Sequence, residues 1–119
     1  MDRRRRDAAS FLPLRPVELQ ILLSLAAGER HGYGILLDAE TLGDGAVPDV
    51  GTLYRALRRV REQGLIAESP APGAEGTGDE RRNYYRLTGF GLEVARLEAR
   101  RLERLTREAR SRGLLGEAS

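Results

Sequence analysis

Apolar residues recur at helical spacing in the first part of the chain. Val17, Ile21 and Leu25 lie four residues apart, and this period predicts a first helix over about 16–27. Pro16 suits the first position of that helix, because the fixed φ of proline is preorganised for helical backbone.

A second helix is predicted over about 32–42, after a short turn. Its expected inward positions are Ile35, Leu36 and Ala39. The glycine- and proline-containing stretch that follows, up to Asp49, predicts a loop.

The third predicted helix, over about 50–63, has a clear amphipathic pattern. Asp49 is a suitable N-cap for it. Leu53, Leu57 and Val60 recur at the spacing of one helix face, so we expect them to form its buried stripe.

Two short strands are predicted next, over 65–69 and 83–87. Tyr85 and Leu87 alternate with more polar neighbours, so they are expected to share one face of the second strand. The proline- and glycine-rich segment between the strands is too long for a tight hairpin turn, and we expect it to project.

A last helix is predicted over about 89–112, with Thr88 as its cap. It would be about 35 Å long, which exceeds what so small a domain needs. One side of it carries apolar residues at three- and four-residue steps: Leu92, Ala95, Ala99, Leu102, Leu105 and Ala109. Such an overhanging stripe needs a partner, and a second copy of the same helix is the most common one, so the sequence predicts a homodimer.

The composition of the chain excludes several classes of protein. The chain has 119 residues, enough for one domain, and no cysteine, which excludes disulfide scaffolds and thiolate chemistry. No apolar run approaches the roughly 20 residues of a membrane span, and the N-terminus lacks the apolar stretch of a secretory signal. We therefore expect a soluble cytoplasmic protein with no cofactor, no metal and no membrane partner.

Charge is unevenly distributed, although the net charge is only +2. All 20 basic residues are arginine, and they cluster over 3–6, 55–61 and 81–82. The planar guanidinium can bind a phosphate or a guanine edge through two hydrogen bonds. A nearly neutral chain can therefore carry local basic patches that suit nucleic acid.

Three helices followed by a hairpin is the element order of a winged helix-turn-helix, whose third helix enters the major groove of DNA. The predicted fold is mainly α with a small β-hairpin: a winged helix-turn-helix over 13–88 and a C-terminal dimerisation helix over 89–112. Disordered segments are expected on either side, an arginine-rich arm over 1–12 and a tail over 113–119.

The exposed face of the third helix supplies candidate contacts to double-stranded DNA. The expected groove contacts are Thr52, Arg55 and Arg59. The expected phosphate contacts are Arg58, Arg81 and Arg82. Taken alone, the third helix fits a solvated arginine-rich face equally well, and it is the basic residues at the hairpin loop that favour DNA binding.

Two other functions stay open. A winged helix could serve only as a protein-interaction module, with the arginines of its third helix on an acidic partner surface. An enzyme is disfavoured, because one histidine, no cysteine, no phosphate-binding loop and no paired carboxylates offer little chemistry.

Three segments resemble the PadR family of bacterial transcriptional regulators. HGYGILLDAE over 31–40 is similar to the start of the family's second helix. GTLYRALRRVREQGLI over 51–66 is similar to its recognition helix and first wing strand, and DERRNYYRLTGFG over 79–91 to its second wing strand and the entry to its last helix. With the first helix, the resemblance covers about residues 12–105.

The resemblance implies a homodimeric DNA-binding repressor that dimerises mainly through its C-terminal helix. Its two recognition helices would enter successive major grooves of a pseudo-palindromic operator. The positions that the resemblance implies at the DNA surface are Thr52, Tyr54 and Arg55, with Arg81 and Arg82 in the wing. Val50 departs from the family, which often has proline there, and the single C-terminal helix resembles its short subgroup. The chain has no tryptophan, so the tryptophan-lined ligand slot of some members is not implied, and a small-molecule effector stays open.

Several residues have a simpler interpretation beside the functional one. His31, the only histidine, is expected to support the turn into the second helix, and Tyr33 to pack in the core. Tyr54 fits a phosphate contact or packing under the wing equally well. The apolar residues within 11–14 fit either a linker or a cover for the partner's last helix. The arginines at 3–6 fit either a solvated tail or an arm that follows the DNA backbone.

Overall fold

The computed structural model describes residues 7–42, 48–69 and 84–116. Within these ranges the four α-helices are α1 Pro16–Ala26, α2 Gly32–Leu42, α3 Val50–Glu62 and α4 Gly89–Ser111. The strands described are β1 Arg30–His31, β2 Ile66–Ser69 and β3 Tyr84–Leu87. Each predicted helix and strand begins and ends within one residue of these bounds.

The sheet has one strand more than the predicted hairpin. Its three antiparallel strands lie in the order β1-β3-β2, so β3 is central. Arg30 lies opposite Tyr85 in β1, and Ile66 lies opposite Leu87 in β2. A strand of two residues is too short to produce an alternating pattern, so only its pairing with β3 reveals it.

The core lies between α1, α2, α3, the sheet and the first half of α4. The fully buried apolar side chains include Ile21, Leu22, Ile35, Leu53, Leu57, Val60, Leu65 and Val94. The inward positions predicted for the first three helices are among them, except that Val17 and Leu36 are half-buried. Each fully buried leucine or isoleucine stabilises the fold by about 1.5–3 kcal/mol relative to exposure.

The segment before α1 is more ordered than predicted. Ala8–Phe11 forms a 3-10 helix, and the carboxylate of Asp7 accepts a hydrogen bond from its first turn. The ring of Phe11 packs edge-on against Phe90 of α4, with 5.5 Å between centroids. The apolar residues expected to cover a partner's last helix therefore pack on the last helix of their own chain. The arginines at 3–6 lie outside the described residues.

Glycines in left-handed conformation end both α3 and α4. Gly64 has φ +82° after α3, and the N–H of Leu65 bonds back to the Val60 carbonyl at 3.0 Å. Gly113 has φ +83° after α4, so the expected tail over 113–119 begins with an ordered turn. Its last three residues lie outside the described part of the chain.

The start of α4 is anchored against the turn that follows α3. Thr88 caps α4 as predicted, and its hydroxyl oxygen accepts from the Gly91 N–H at 2.9 Å. The same hydroxyl lies 2.6 Å from the Gly64 carbonyl oxygen. A Cβ on Gly91 would overlap the backbone carbonyl of Leu65, so only glycine permits this approach.

Candidate nucleic-acid interface

The exposed start of α3 is built on an ionised cap. Asp49 Oδ1 accepts a hydrogen bond from the Thr52 N–H at 2.7 Å, which confirms the predicted N-cap. Hydrogen bonds from the backbone and hydroxyl of Thr52, together with the nearby Arg55 charge, hold the pKa of Asp49 below its usual value. The cap is therefore a carboxylate at neutral pH.

Arg55 lies on the open face of the first turns of α3. Its Nη2 is 3.3 Å from the Thr52 hydroxyl, a long hydrogen bond. Its Nη1 would lie 3.3 Å from a Cβ on Gly51, so the lack of a side chain there gives the guanidinium room. Among the described residues no acid forms an ion pair with Arg55, so its donors can turn to another molecule.

Arg58 is also exposed, and it borders a shallow groove between α3 and the sheet. The groove has a volume of about 190 Å³ and is lined by Tyr54, Leu57, Arg58, Arg61, Glu68 and Tyr85. Arg61 pairs there with Glu68 of β2 at 2.8 Å. Within the described ranges Arg58 has no ion pair, so it keeps a free charge beside the sheet.

Arg59 differs from the other arginines of α3. Its Nε donates to Glu18 Oε2 on α1 at 2.8 Å, and only about a third of its side chain is exposed. At 100° per residue Arg59 lies near Arg55 on the helical wheel, but it also borders buried Val60, where α1 crosses. The structure thus brings Thr52 and Arg55 together and turns Arg59 toward α1.

The two tyrosines at the α2–α3 contact have different surroundings. The ring of Tyr54 covers Gly32 at the start of α2, where a Cβ would come within 2.8 Å of the ring carbons. Tyr33 is 59% exposed, so the expectation that it packs in the core is wrong. Its neighbours Gly32 and Ile35 take the buried positions at this end of α2, which leaves Tyr33 on the outer side. This exposed aromatic at the start of α2 was missed as a candidate contact.

His31 supports the start of α2, as predicted. Its Nδ1 accepts a hydrogen bond from the Gly34 N–H at 3.0 Å, which satisfies one of the free amides of the first helical turn. Its ring meets Tyr84 of β3 edge-on at 5.3 Å. Among the described residues no group of three or more histidines and carboxylates could hold a metal ion.

The wing contacts cannot be placed, because Arg81 and Arg82 lie outside the described residues. The strand that follows them does carry an exposed basic side chain, Arg86, paired across from Ala67 in β2. The described end of the hairpin therefore adds one more positive charge to the outer side of the sheet.

The predicted stripe of α4 is left largely uncovered by its own chain. Leu105 is 54% exposed and Leu92 and Ala99 are exposed, while Ala95, Leu102 and Ala109 are half-buried. The buried positions of α4 are Gly91, Val94 and Glu98, on another side of the helix. In the described ranges no helix is long and apolar enough to span a membrane.

Three helices with a basic, exposed third helix and a three-stranded antiparallel sheet define a winged helix-turn-helix protein. The model of the transcriptional regulator PadR-like family matches residues 21–97, more than half of the chain. The chain belongs to this family. A sequence search against curated proteins gives no significant match.

Solved structures agree with this assignment. A transcriptional regulator from Clostridium thermocellum is 28% identical with a TM-score of 0.63, over 78% of this chain and 84% of that one. Bacillus subtilis PadR, solved in complex with operator DNA, is 26% identical with a TM-score of 0.59, over 69% of this chain and 46% of PadR. A PadR-like regulator from Bacillus cereus is 24% identical with a TM-score of 0.69, over 85% and 93% of the two chains, and supports the fold alone.

Proposed function

We propose that this protein is a sequence-specific DNA-binding repressor that acts in the cytoplasm as a homodimer on a pseudo-palindromic operator. One observation carries the proposal: Arg55 lies beside Thr52 at the exposed start of α3 and, among the described residues, forms no ion pair within 4 Å. Family membership and the operator-bound relative support the same function.

We assign the proposed contacts of α3 according to whether each arginine forms an ion pair among the described residues. Thr52 and Arg55 read base edges, and Arg55 has the fork geometry that suits guanine. Arg58 contacts a phosphate, and Tyr54 contributes its hydroxyl at the edge of the same surface. Arg59 holds α3 on α1 through Glu18, in place of the groove contact predicted from its position in the sequence.

Arg81 and Arg82 remain predicted phosphate contacts of the wing. Together with Arg58 they would give about three phosphate contacts per subunit. For the dimer, a plot of the logarithm of the binding constant against the logarithm of the salt concentration should then have a slope of about −5.

The dimer is proposed to form through α4. The apolar stripe that its own chain leaves open would pack on the same stripe of a second copy: Leu92, Ala95, Ala99, Leu102, Leu105 and Ala109. A two-fold axis along this contact would present two α3 helices to successive major grooves, about 34 Å apart.

The proposed dimer contact offers a place where a small-molecule effector could bind. A groove of about 280 Å³ lies on α4 beside Leu92 and Leu97, close to the proposed dimer contact. A small molecule bound there would release the repressor only if it favoured an arrangement of the dimer that cannot bind DNA.

The test is selection of binding sites from sheared genomic DNA by the intact protein. The expected result is an inverted repeat that is enriched by the parent. A Leu102→Ala, Leu105→Ala double variant should weaken dimerisation and with it the enrichment of the repeat. As a matched control, Thr106→Ala on the same exposed half of α4 should leave both unchanged.

No enriched site at about 0.15 M salt would contradict direct sequence-specific repression, since specific binding survives at physiological salt. In that case the protein-interaction module would become the leading function, and an acidic partner surface would be sought for α3.

A further inference from the structure

Two carboxylates hold two adjacent backbone amides just before α1. Glu98 Oε2 of α4 accepts from the Leu14 N–H at 3.0 Å, and Glu18 Oε1 of α1 accepts from the Arg15 N–H at 3.0 Å. Glu98 is only 1% exposed, so its carboxylate is committed to partners inside the protein.

Each carboxylate also has its own arginine. Arg101 donates to both oxygens of Glu98, at 2.6 and 3.0 Å, in a two-pronged contact. Arg59 of α3 donates to Glu18 at 2.8 Å. A continuous series of polar contacts therefore leads from α4, through the amides of residues 14 and 15, to the proposed recognition helix. We name it the carboxylate clasp.

Glu98 is one of the buried positions that hold α4 on the rest of the chain, together with Gly91 and Val94. Gly91 lies against Leu65, in the turn that follows α3. Glu98 is seven residues further, two turns or about 10.5 Å along the same side of the helix. A helix that is held at one point can pivot, whereas a helix held at two points keeps its direction.

The part of α4 beyond Glu98 amplifies a change in the direction of the helix. From Gly91 to Ser111 the helix runs about 30 Å, so a shift of about 1 Å at Glu98 becomes about 3 Å at the far end. Four of the six residues of the proposed dimer contact lie beyond Glu98: Ala99, Leu102, Leu105 and Ala109. The orientation of this contact relative to α3 decides how far apart two recognition helices stand.

We propose that Glu98 and Glu18, by holding the adjacent amides of Leu14 and Arg15, set the angle between α4 and α3 and thereby the half-site spacing that the dimer accepts. This inference rests on the proposed function as a DNA-binding homodimer. Both glutamates are positioning residues, because they act through α4 and α3 and touch no DNA.

The test is a selection from duplexes that carry two selected half-sites separated by about 0 to 12 base pairs, a range that spans one helical turn. The parent is expected to prefer one spacing sharply. Glu98→Gln keeps an oxygen for Leu14 but loses the charged pair with Arg101. It should reduce the preference for the optimal spacing over its neighbours about tenfold, the scale expected from a charged hydrogen bond.

Glu18→Gln should broaden the spacing in the same way. Glu108→Gln is the matched control, because it removes the exposed pair with Arg112 on the same helix and should keep the parent's preference. If Glu98→Gln does not fold, Arg101→Gln breaks the same pair from its more exposed side, and circular dichroism identifies folded variants before selection.

The outcomes separate the two proposals. Folded Glu98→Gln and Glu18→Gln proteins that keep the parent's single sharp spacing would overturn this inference and leave the proposed function intact. A parent that binds one half-site as well as any pair would overturn the dimeric repressor, and this inference with it.

Discussion

The two longest helices, α3 and α4, have the same kind of amphipathic sequence and opposite surroundings. In α3 the apolar stripe of Leu53, Leu57 and Val60 is fully buried within the chain. In α4 the apolar stripe stays largely open, and the helix packs through Gly91, Val94 and Glu98 instead. The period of a sequence thus identifies an apolar face, but it does not say whether that face is covered by the same chain or by another.

Both helices carry paired arginines and exposed arginines that form no ion pair among the described residues. On α3, Arg55 and Arg58 form no ion pair among the described residues, whereas Arg59 and Arg61 are paired. On α4, Arg107 and Arg112 pair with glutamates one turn earlier. Exposed arginines without an ion pair among the described residues also lie on α4, so it is the position of Arg55 on the third helix of a winged helix-turn-helix that leads us to assign a base contact to it.

The largest effect is expected from truncating the stripe of α3. Leu53→Ala should lower the free energy of unfolding by about 2–5 kcal/mol, because it leaves a cavity in the core. Leu105→Ala on α4 should change it by less than about 0.5 kcal/mol at concentrations where the dimer is dissociated. Urea unfolding measures both, and similar losses for the two variants would contradict the contrast between the helices.

A smaller effect should mark the packed side of α4. Gly91→Ala pushes a methyl group into the backbone of Leu65 and should destabilise the fold by about 1–3 kcal/mol. Gly89→Ala, at the first position of the same helix, meets no atom within 4 Å and should be close to neutral. Thermal melting of the two variants tests this difference. Equal melting temperatures would contradict the packing of α4 against Leu65.

The smallest effect should appear as a dependence of stability on pH. The hydrogen bonds from Arg101, and then that from Leu14, hold the pKa of Glu98 below its usual value. Ionised Glu98 therefore stabilises the fold above the ordinary glutamate pKa of about 4.3, and this stabilisation is lost as the pH falls through the lower folded pKa. Urea unfolding from pH 6 down to about pH 3 should show this loss in the parent, and Glu98→Gln should flatten it.

Asp49→Asn is the matched control for this pH series. Asparagine is as good an N-cap as aspartate, and the Asp49 carboxylate is exposed, so its replacement should alter the acid dependence less than Glu98→Gln. An acid profile that Glu98→Gln leaves unchanged would show that the buried carboxylate does not contribute to stability.

Most of the fold could be predicted because its helices have clear periods, caps and glycine ends. The order of elements, Asp49 and Thr88 as caps, and the buried stripe of α3 are confirmed. The 3-10 helix over Ala8–Phe11 and the strand Arg30–His31 were missed, because segments of two to four residues carry no measurable period.

The candidate site was predictable only in part. The exposure of Arg55 and Arg58 follows from the helical wheel, Thr52 beside them is half-buried, and the assignment of all three residues to DNA stays a prediction. The pairing of Arg59 with Glu18 joins residues 41 positions apart and depends on where α1 crosses α3, which no local pattern contains. The exposure of Tyr33 was missed for the same kind of reason, because it depends on which neighbours fill the core.

The most direct test of the account compares Arg55→Ala with Arg61→Ala on the selected operator and on duplexes with single base changes. Arg55 forms no ion pair among the described residues and is assigned to a base, whereas Arg61 is paired with Glu68 and assigned no contact. We predict that Arg55→Ala loses about 1–3 kcal/mol of discrimination at one base position, and that Arg61→Ala binds like the parent. Equal losses for the two variants on every sequence would contradict the claim that the start of α3 reads the operator.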